Sequence, residues 1–265
     1  MKLLWKGSLA LVAGSMLLAA CSTQSATNAP AGTAAGPGHH SGKFVWQDLV
    51  TRDPEAARRF YGALLGWEYQ DTRRNGKPYA VARVGGKPVA GIIAHPDPTD
   101  EPALWLSYLS VPNVDQAAEQ VTAAGGETLY EPRDLGDIAR VAVVTDPQGA
   151  ALGLVRLRDG DPADSPSPER GHIFWMEYMA DDAAAALAFY SKLSGYETSV
   201  QESRDGVEYH VLRRDGRTRA GLFQIPADAD ENVDPNWLPY VLVDDPAALP
   251  QRAESLGGKV ILAPD

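Results

Sequence analysis

Phe44-Val45-Trp46-Gln47-Asp48-Leu49 returns 129 residues later as Ile173-Phe174-Trp175-Met176-Glu177-Tyr178. Both hexapeptides are rich in aromatic and branched residues and carry one carboxylate, the pattern of a strand with two unlike faces. At the same offset Phe60-Tyr61 returns as Phe189-Tyr190, Leu64 as Leu193 and Gly66 as Gly195. Ala90-Gly91 returns as Ala220-Gly221 at an offset of 130, and Trp105-Leu106, Tyr108 and Gly125-Gly126 return as Trp237-Leu238, Tyr240 and Gly257-Gly258 at 132. A spacing that drifts so little over this length means two homologous units with small loop differences. Between them, Arg158 to Arg170 (RDGDPADSPSPER) is rich in Pro, Ser and Asp and reads as a linker.

Each unit has the order strand, helix, strands, then strand, helix, strands again. Asp53-Pro54-Glu55 is a helix start: a capping carboxylate, proline at the first helical position and an acid in the first turn. Ala57, Phe60, Tyr61, Leu64 and Leu65 then recur at helical spacing, and Gly66 supplies the stop. Strands are expected at Trp67–Asp71, Pro78–Val84 and Pro88–Ala94. The second round opens at Leu104–Val111, has a helix at about Val114–Ala124, and closes with strands joined by the turn Asp146-Pro147-Gln148-Gly149.

This doubled βαβββ pattern resembles the vicinal oxygen chelate (VOC) superfamily, the glyoxalase I, bleomycin-resistance and extradiol dioxygenase relatives. The residues that carry the resemblance are Asp53-Pro54-Glu55-Ala56-Ala57 with Phe60-Tyr61, then Leu64-Leu65-Gly66-Trp67, and Asp146-Pro147 with Gly149. It is similar above all to tandem-domain proteins of the type called predicted enzyme related to lactoylglutathione lyase. The fold this implies is α+β: tandem VOC domains, cupped mixed or antiparallel sheets with flanking helices. The domains expected are 43–158 and 171–265, with 159–170 as the linker. The second unit stops eight residues after Gly257 and lacks the pattern of its last strands.

In metal-dependent members that the sequence resembles, four side chains on the inner face of the cup hold a divalent ion. The positions that match fall at Trp46, Leu106 and Gly153, and in the second unit at Trp175 and Leu238. None of these carries an imidazole or carboxylate donor, so no metal cofactor is expected. His95, His172 and His210 read as loop or packed strand residues, and the adjacent His39-His40 as part of a floppy segment. What the repeats share is a tryptophan, a carboxylate and a tyrosine. Alternation puts Trp46 with Asp48, and Trp175 with Glu177, on one strand face; Tyr108 and Tyr240 follow on the next strand. The candidate ligand-binding set is therefore Trp46, Asp48, Tyr108, Trp175, Glu177 and Tyr240. It suits a flat or cationic small molecule through stacking and cation–π contact. The bland alternative is that the tryptophans fill the cup and the acids serve the backbone.

The chain has 265 residues and a formal charge of −11, which argues against a nucleic-acid partner. Its single cysteine excludes an internal disulfide and a thiolate metal site. Lys2 and Lys6 precede an apolar run, Leu9 to Ala20, too short for a stable span but the size of a signal core. The run ends in Leu18-Ala19-Ala20-Cys21, which resembles the bacterial lipoprotein signal. That implies a signal peptide at 1–20, lipidation of Cys21 by acyl chains such as palmitate, and a membrane-held protein of the cell envelope. Residues 21–42, Cys21 to Gly42, lack apolar periodicity and read as a flexible tether. The expected function is a metal-free, membrane-anchored small-molecule binder. Its rivals are a metal-dependent lyase or isomerase of the lactoylglutathione-lyase type, and an assembly module whose open sheet edge recruits a partner or a second copy. Pro250 falls inside the last helical pattern, and Leu238 to Asp265 is expected to be the least stable segment.

Overall fold

The computed structural model describes residues 38–96, 103–165, 167–202, 207–229, 233–262 and 264. The signal segment, Cys21 and most of the tether lie outside these residues. In the first unit β1 (Phe44–Thr51) leads into α1 (Pro54–Leu65), β2 (Glu68–Arg74), β3 (Lys77–Val84) and β4 (Lys87–Ala94). The round repeats as β5 (Leu104–Ser110), α2 (Val114–Ala123), β6 (Glu127–Leu135), β7 (Ala139–Thr145) and β8 (Ala151–Leu157). The second unit supplies β9 (Ile173–Ala180), α3 (Ala183–Ser194), β10 (Glu197–Glu202), β11 (Glu208–Arg214), β12 (Arg217–Gln224) and β13 (Asn236–Val241). A 3-10 turn at Pro246–Ala248 and α4 (Leu249–Ser255) follow.

The helix signals act where the sequence puts them. The Asp53 carboxylate accepts from the Ala56 amide at 2.8 Å, and Gly66 ends α1 at φ 73°, a left-handed turn that glycine enters without a Cβ penalty. Asp182 and Gly195 do the same for α3. Pro250 is harmless: it lies in the first turn of α4, where its missing N–H has no partner to lose.

The first unit is one sheet of eight strands in the order β2-β3-β4-β1-β5-β8-β7-β6. Each βαβββ round is half of it, and the halves join where β1 runs antiparallel to β5. The second unit repeats this as β10-β11-β12-β9-β13, with β13 antiparallel to β9. Among the described residues β13 ends that sheet. It is anchored all the same, since Trp237 is fully buried, whereas α4 buries no residue.

The sheets turn their helix-bearing faces toward each other. One core cluster holds Leu49, Tyr61, Trp67 and Trp105 of the first unit, with Ile173 and Val241 of the second packed on it. The other is built jointly from Leu109, Val121 and Leu152 and from Tyr178, Tyr190 and Trp237. Two reciprocal bonds clasp the units: Trp67 Nε1 donates to the Gly171 carbonyl at 2.8 Å, and the Tyr196 hydroxyl to the Gly42 carbonyl at 2.5 Å. Gly42 and Gly171 stand at equivalent places just before β1 and β9, and bond in turn to Ser110 and Leu242. The end of the stretch read as a tether, Gly38–Gly42, is thus part of the packed body. His40 N donates to the Asp161 carboxylate at 2.6 Å, and the Asp161 amide to the Gly38 carbonyl at 3.0 Å.

Asp146, from the turn before β8, is buried between the units. Its Oδ1 accepts from the amides of Gln148 (2.9 Å) and Ala150 (3.0 Å), its Oδ2 from the hydroxyls of Tyr178 (2.5 Å) and Tyr190 (2.7 Å). Asp146→Ala is expected to cost about 3–5 kcal/mol, since several buried donors lose their acceptor at about 1–3 kcal/mol each with partial replacement by water. Urea denaturation measures it; a loss below about 1 kcal/mol, the size of an exposed ion pair, would refute this role for Asp146.

Candidate functional site

The outer, concave face of each sheet carries the repeated Trp/acid/Tyr set. On β1, Trp46 and Asp48 point to this face, with Trp46 opposite Tyr108 on β5 and Tyr108 opposite Gly153 on β8. A Cβ at Gly153 would stand 2.4 Å from the Tyr108 ring, so the ring lies flat over a position that only glycine permits. The same holds at Gly91 on β4, beside Asp48, where a Cβ would meet the Tyr79 hydroxyl at 2.0 Å and Asp48 Oδ1 at 2.1 Å.

The Asp48 carboxylate is 1% exposed and its bonds are made within the cup. Oδ1 accepts from Trp46 Nε1 at 2.8 Å and from the Tyr79 hydroxyl at 2.6 Å. Oδ2 meets Arg74, from the end of β2, at 2.5 Å. The Arg74 guanidinium also bonds the Tyr79 hydroxyl at 2.5 Å and lies 3.8 Å from the centre of its ring. Burial alone would lower the Arg74 pKa, and the Asp48 charge more than offsets it, so Arg74 is held charged. Burial and then the Asp48 charge push the Tyr79 and Tyr108 phenols well up. The result is an internally neutral cluster with Trp46, Tyr108 and Arg74 half-buried at its mouth.

The second cup repeats the set. Trp175 Nε1 donates to the Tyr209 hydroxyl at 3.0 Å, and Tyr240 donates a short bond to Glu177. A Cβ at Gly221 would meet the Tyr209 hydroxyl at 1.8 Å, as at Gly91. Burial, followed by the Glu177 charge, raises the Tyr209 and Tyr240 phenols. All six expected residues are therefore brought together, three to a cup. Arg74, Tyr79 and Tyr209 join them, three residues that strand parity alone does not single out. Their signal is in the repeat: Tyr79 and Tyr209, like Arg74 and Arg204, are 130 residues apart, although Arg204 lies outside the described residues.

Comparison with known proteins agrees with this architecture. The description Glyoxalase/Bleomycin resistance protein/Dioxygenase superfamily matches residues 39–154. The chain is 34% identical over 230 residues to "Putative glyoxylase CFP32" of Mycobacterium tuberculosis, covering 85% of this chain and 87% of the relative. The chain belongs to the glyoxalase/bleomycin resistance protein/dioxygenase superfamily. A second relative, "Anthracycline biosynthesis protein DnrV" of Streptomyces peucetius, is 30% identical over 239 residues, with 83% of each chain covered. Among solved structures, a variant of 4-hydroxymandelate synthase from Streptomyces coelicolor superposes with a TM-score of 0.52 at 16% identity, covering 82% of this chain and 75% of that one. That likeness is one of fold.

The superfamily implies a divalent metal in the cup, and the residues present do not fit one. Trp46, Leu106 and Gly153 offer no metal donor. The one carboxylate beside them, Asp48, is already engaged by two neutral donors and a guanidinium, and a cation beside Arg74 would be repelled at short range. Among the described residues no three His, Cys, Asp or Glu side chains stand close enough to share an ion.

Two measurements check the cup. Arg74→Met leaves the Asp48 charge buried without its cation and is expected to cost about 3–5 kcal/mol, while the double variant Asp48→Leu/Arg74→Met is expected to recover most of it; equal costs would refute the pairing. The second is alkaline titration. Nine of the ten tyrosines have raised pKa values in the folded protein, all through burial first. A raised folded value contributes stability that is complete below the unfolded phenol value of about 10 and is lost as pH climbs above it. Absorbance at 295 nm should therefore rise mainly together with loss of near-ultraviolet dichroism; ionisation of most phenols in a chain that stays folded would contradict the burial.

Proposed function

We propose that this superfamily member is a metal-free binder of a flat small molecule, taken up in the sheet cups of a lipid-anchored protein. The observation that carries this is the neutral cluster at Asp48, with its aromatic and guanidinium mouth. A ligand there meets the indole of Trp46, the ring of Tyr108 and the outer face of Arg74, so stacking and apolar contact supply the affinity. The carboxylate orients Arg74 and the two rings; the cationic ligands considered from sequence have no free negative charge to meet in this cup. The relatives named for a glyoxylase and for anthracycline biosynthesis support a small organic molecule as the occupant. The lipid anchor rests on Cys21 alone, which lies outside the described residues. No helix among those residues is long and apolar enough to cross a membrane.

Tryptophan fluorescence of the full chain, titrated with a panel of planar aromatic compounds, is expected to show saturable quenching that Trp46→Phe weakens. The absence of any response across the panel sinks the reading. Elemental analysis of protein purified without chelators discriminates the rival lyase or isomerase: stoichiometric Ni, Zn, Mn or Fe would establish the rival. Cys21→Ser is expected to move the protein from the membrane to the soluble fraction, and an unchanged distribution refutes the anchor.

A further inference from the structure

A cavity of about 700 Å³ opens where the linker crosses the start of β9 and the β11–β12 turn, away from the Asp48 cluster. Four cations line it, Lys43, Arg213, Arg217 and Arg219, against two carboxylates, Asp164 and Glu169. In a chain of net charge −11 this concentration of positive charge runs against the composition. Three of the cations converge on one linker carboxylate: Asp164 lies 2.7 Å from Arg219, 3.0 Å from Lys43 and 3.2 Å from Arg217. Burial would raise the Asp164 pKa, yet the hydrogen bonds from Arg219 and Lys43 bring it down to about 2.

One carboxylate does not exhaust three cations. The Arg219 side chain is 5% exposed, donates to Asp164 through one nitrogen only, and its Nε is buried without a partner. Domain 1 has Val89 at the matching place in its bulged strand, so the burial of a guanidinium here is peculiar to this cavity. His172 Nε2, on the same wall, is likewise buried and unpartnered. An unpaired buried donor is costly, and the Nε edge of a guanidinium is the edge that a carboxylate takes in the plane of the fork. The apolar side of the cavity fits the same ligand: Phe174 is 45% exposed there, beside Trp175.

We infer that this cavity is a second binding site, for a small aromatic carboxylate whose charge joins Arg219 and Arg217 and whose ring rests on Phe174. Asp164 then acts as a resident competitor, holding the cations in place and setting the affinity. Phosphate would satisfy the cations but leave Phe174 uncovered.

The test is titration calorimetry of the full chain with benzoate, benzamide, acetate and inorganic phosphate. Benzoate is expected to bind saturably, and about tenfold or more above the other three, since each lacks the ring, the charge or the planar fork contact. Arg219→Met is expected to weaken benzoate by about tenfold or more, the size of one charge-assisted bond, and Asp164→Asn to strengthen it. Opposite signs for the two variants separate a binding site from general destabilisation, which would weaken both. The component of benzoate binding lost in Arg219→Met is expected to persist in Trp46→Phe, whereas a component weakened by Trp46→Phe belongs to the Asp48 cup. No benzoate binding that depends on Arg219, equal Arg219-dependent binding of benzamide, phosphate bound as tightly as benzoate, or weakening by both variants would overturn the assignment.

Discussion

Asp146 carries a carboxylate into the seam between the two units, and the arrangement of everything else follows from how that charge is met. A charge removed from water must find donors in fixed places. Two come from its own turn, which the Asp-Pro-x-Gly spacing folds back under it. The other two are phenols on β9 and α3 of the second unit, and Trp237 Nε1 donates in turn to Tyr190 at 2.8 Å. The end of the first unit is thereby locked against the first strand and helix of the second. At the matching place in the first unit, Trp105 Nε1 still donates to the Tyr61 hydroxyl, at 3.1 Å, but Leu49 stands where Tyr178 stands in the second. Where no acid arrives among the described residues, an additional phenol would be a buried donor without an acceptor, and leucine fills the space instead.

Back-to-back packing of the helix-bearing faces leaves the opposite faces as the ones turned to solvent. It also means that neither cup can borrow a charge from the other unit. The carboxylate on β1 must be compensated within its own sheet, and Arg74 does so from the far end of β2, across β3 and β4. Its reach depends on Gly91 and Gly153. A side chain at either position would occupy the space in which Tyr79 and Tyr108 lie, and with it the geometry that turns both phenols toward Asp48. The two glycines therefore shape the cluster by the space they leave, although they make no hydrogen bond through a side chain.

The fold was legible because its signals are local and doubled. Alternation, helix caps and glycine stops mark each element, and the offset of 129 to 132 shows that they recur as units. Trp46, Asp48 and Tyr108 were legible for the same reason, as strand residues of fixed parity. Arg74 and Tyr79 were not, because which strands adjoin β1 is decided by topology: the parallel pairing of β1 with β4 brings β3 and then β2 alongside. Nothing in the run Arg73-Arg74-Asn75-Gly76 separates a hairpin arginine in water from one folded back over a cup. The ordering of Gly38–Gly42 was hidden in the same way, since its partners Ser110, Asp161 and Tyr196 are far away in sequence.

The two cups share side chains, and the described partners of their carboxylates differ. In the first, the Asp48 carboxylate meets the Arg74 guanidinium at 2.5 Å, and the Arg133 charge also reaches the Tyr108 phenol. In the second, Glu177 is held by the Tyr240 hydroxyl and faces Tyr209, both neutral donors, among the described residues. The repeat places Arg204 at the offset of Arg74, so the pairing of an acid with a guanidinium is written in both units of the sequence.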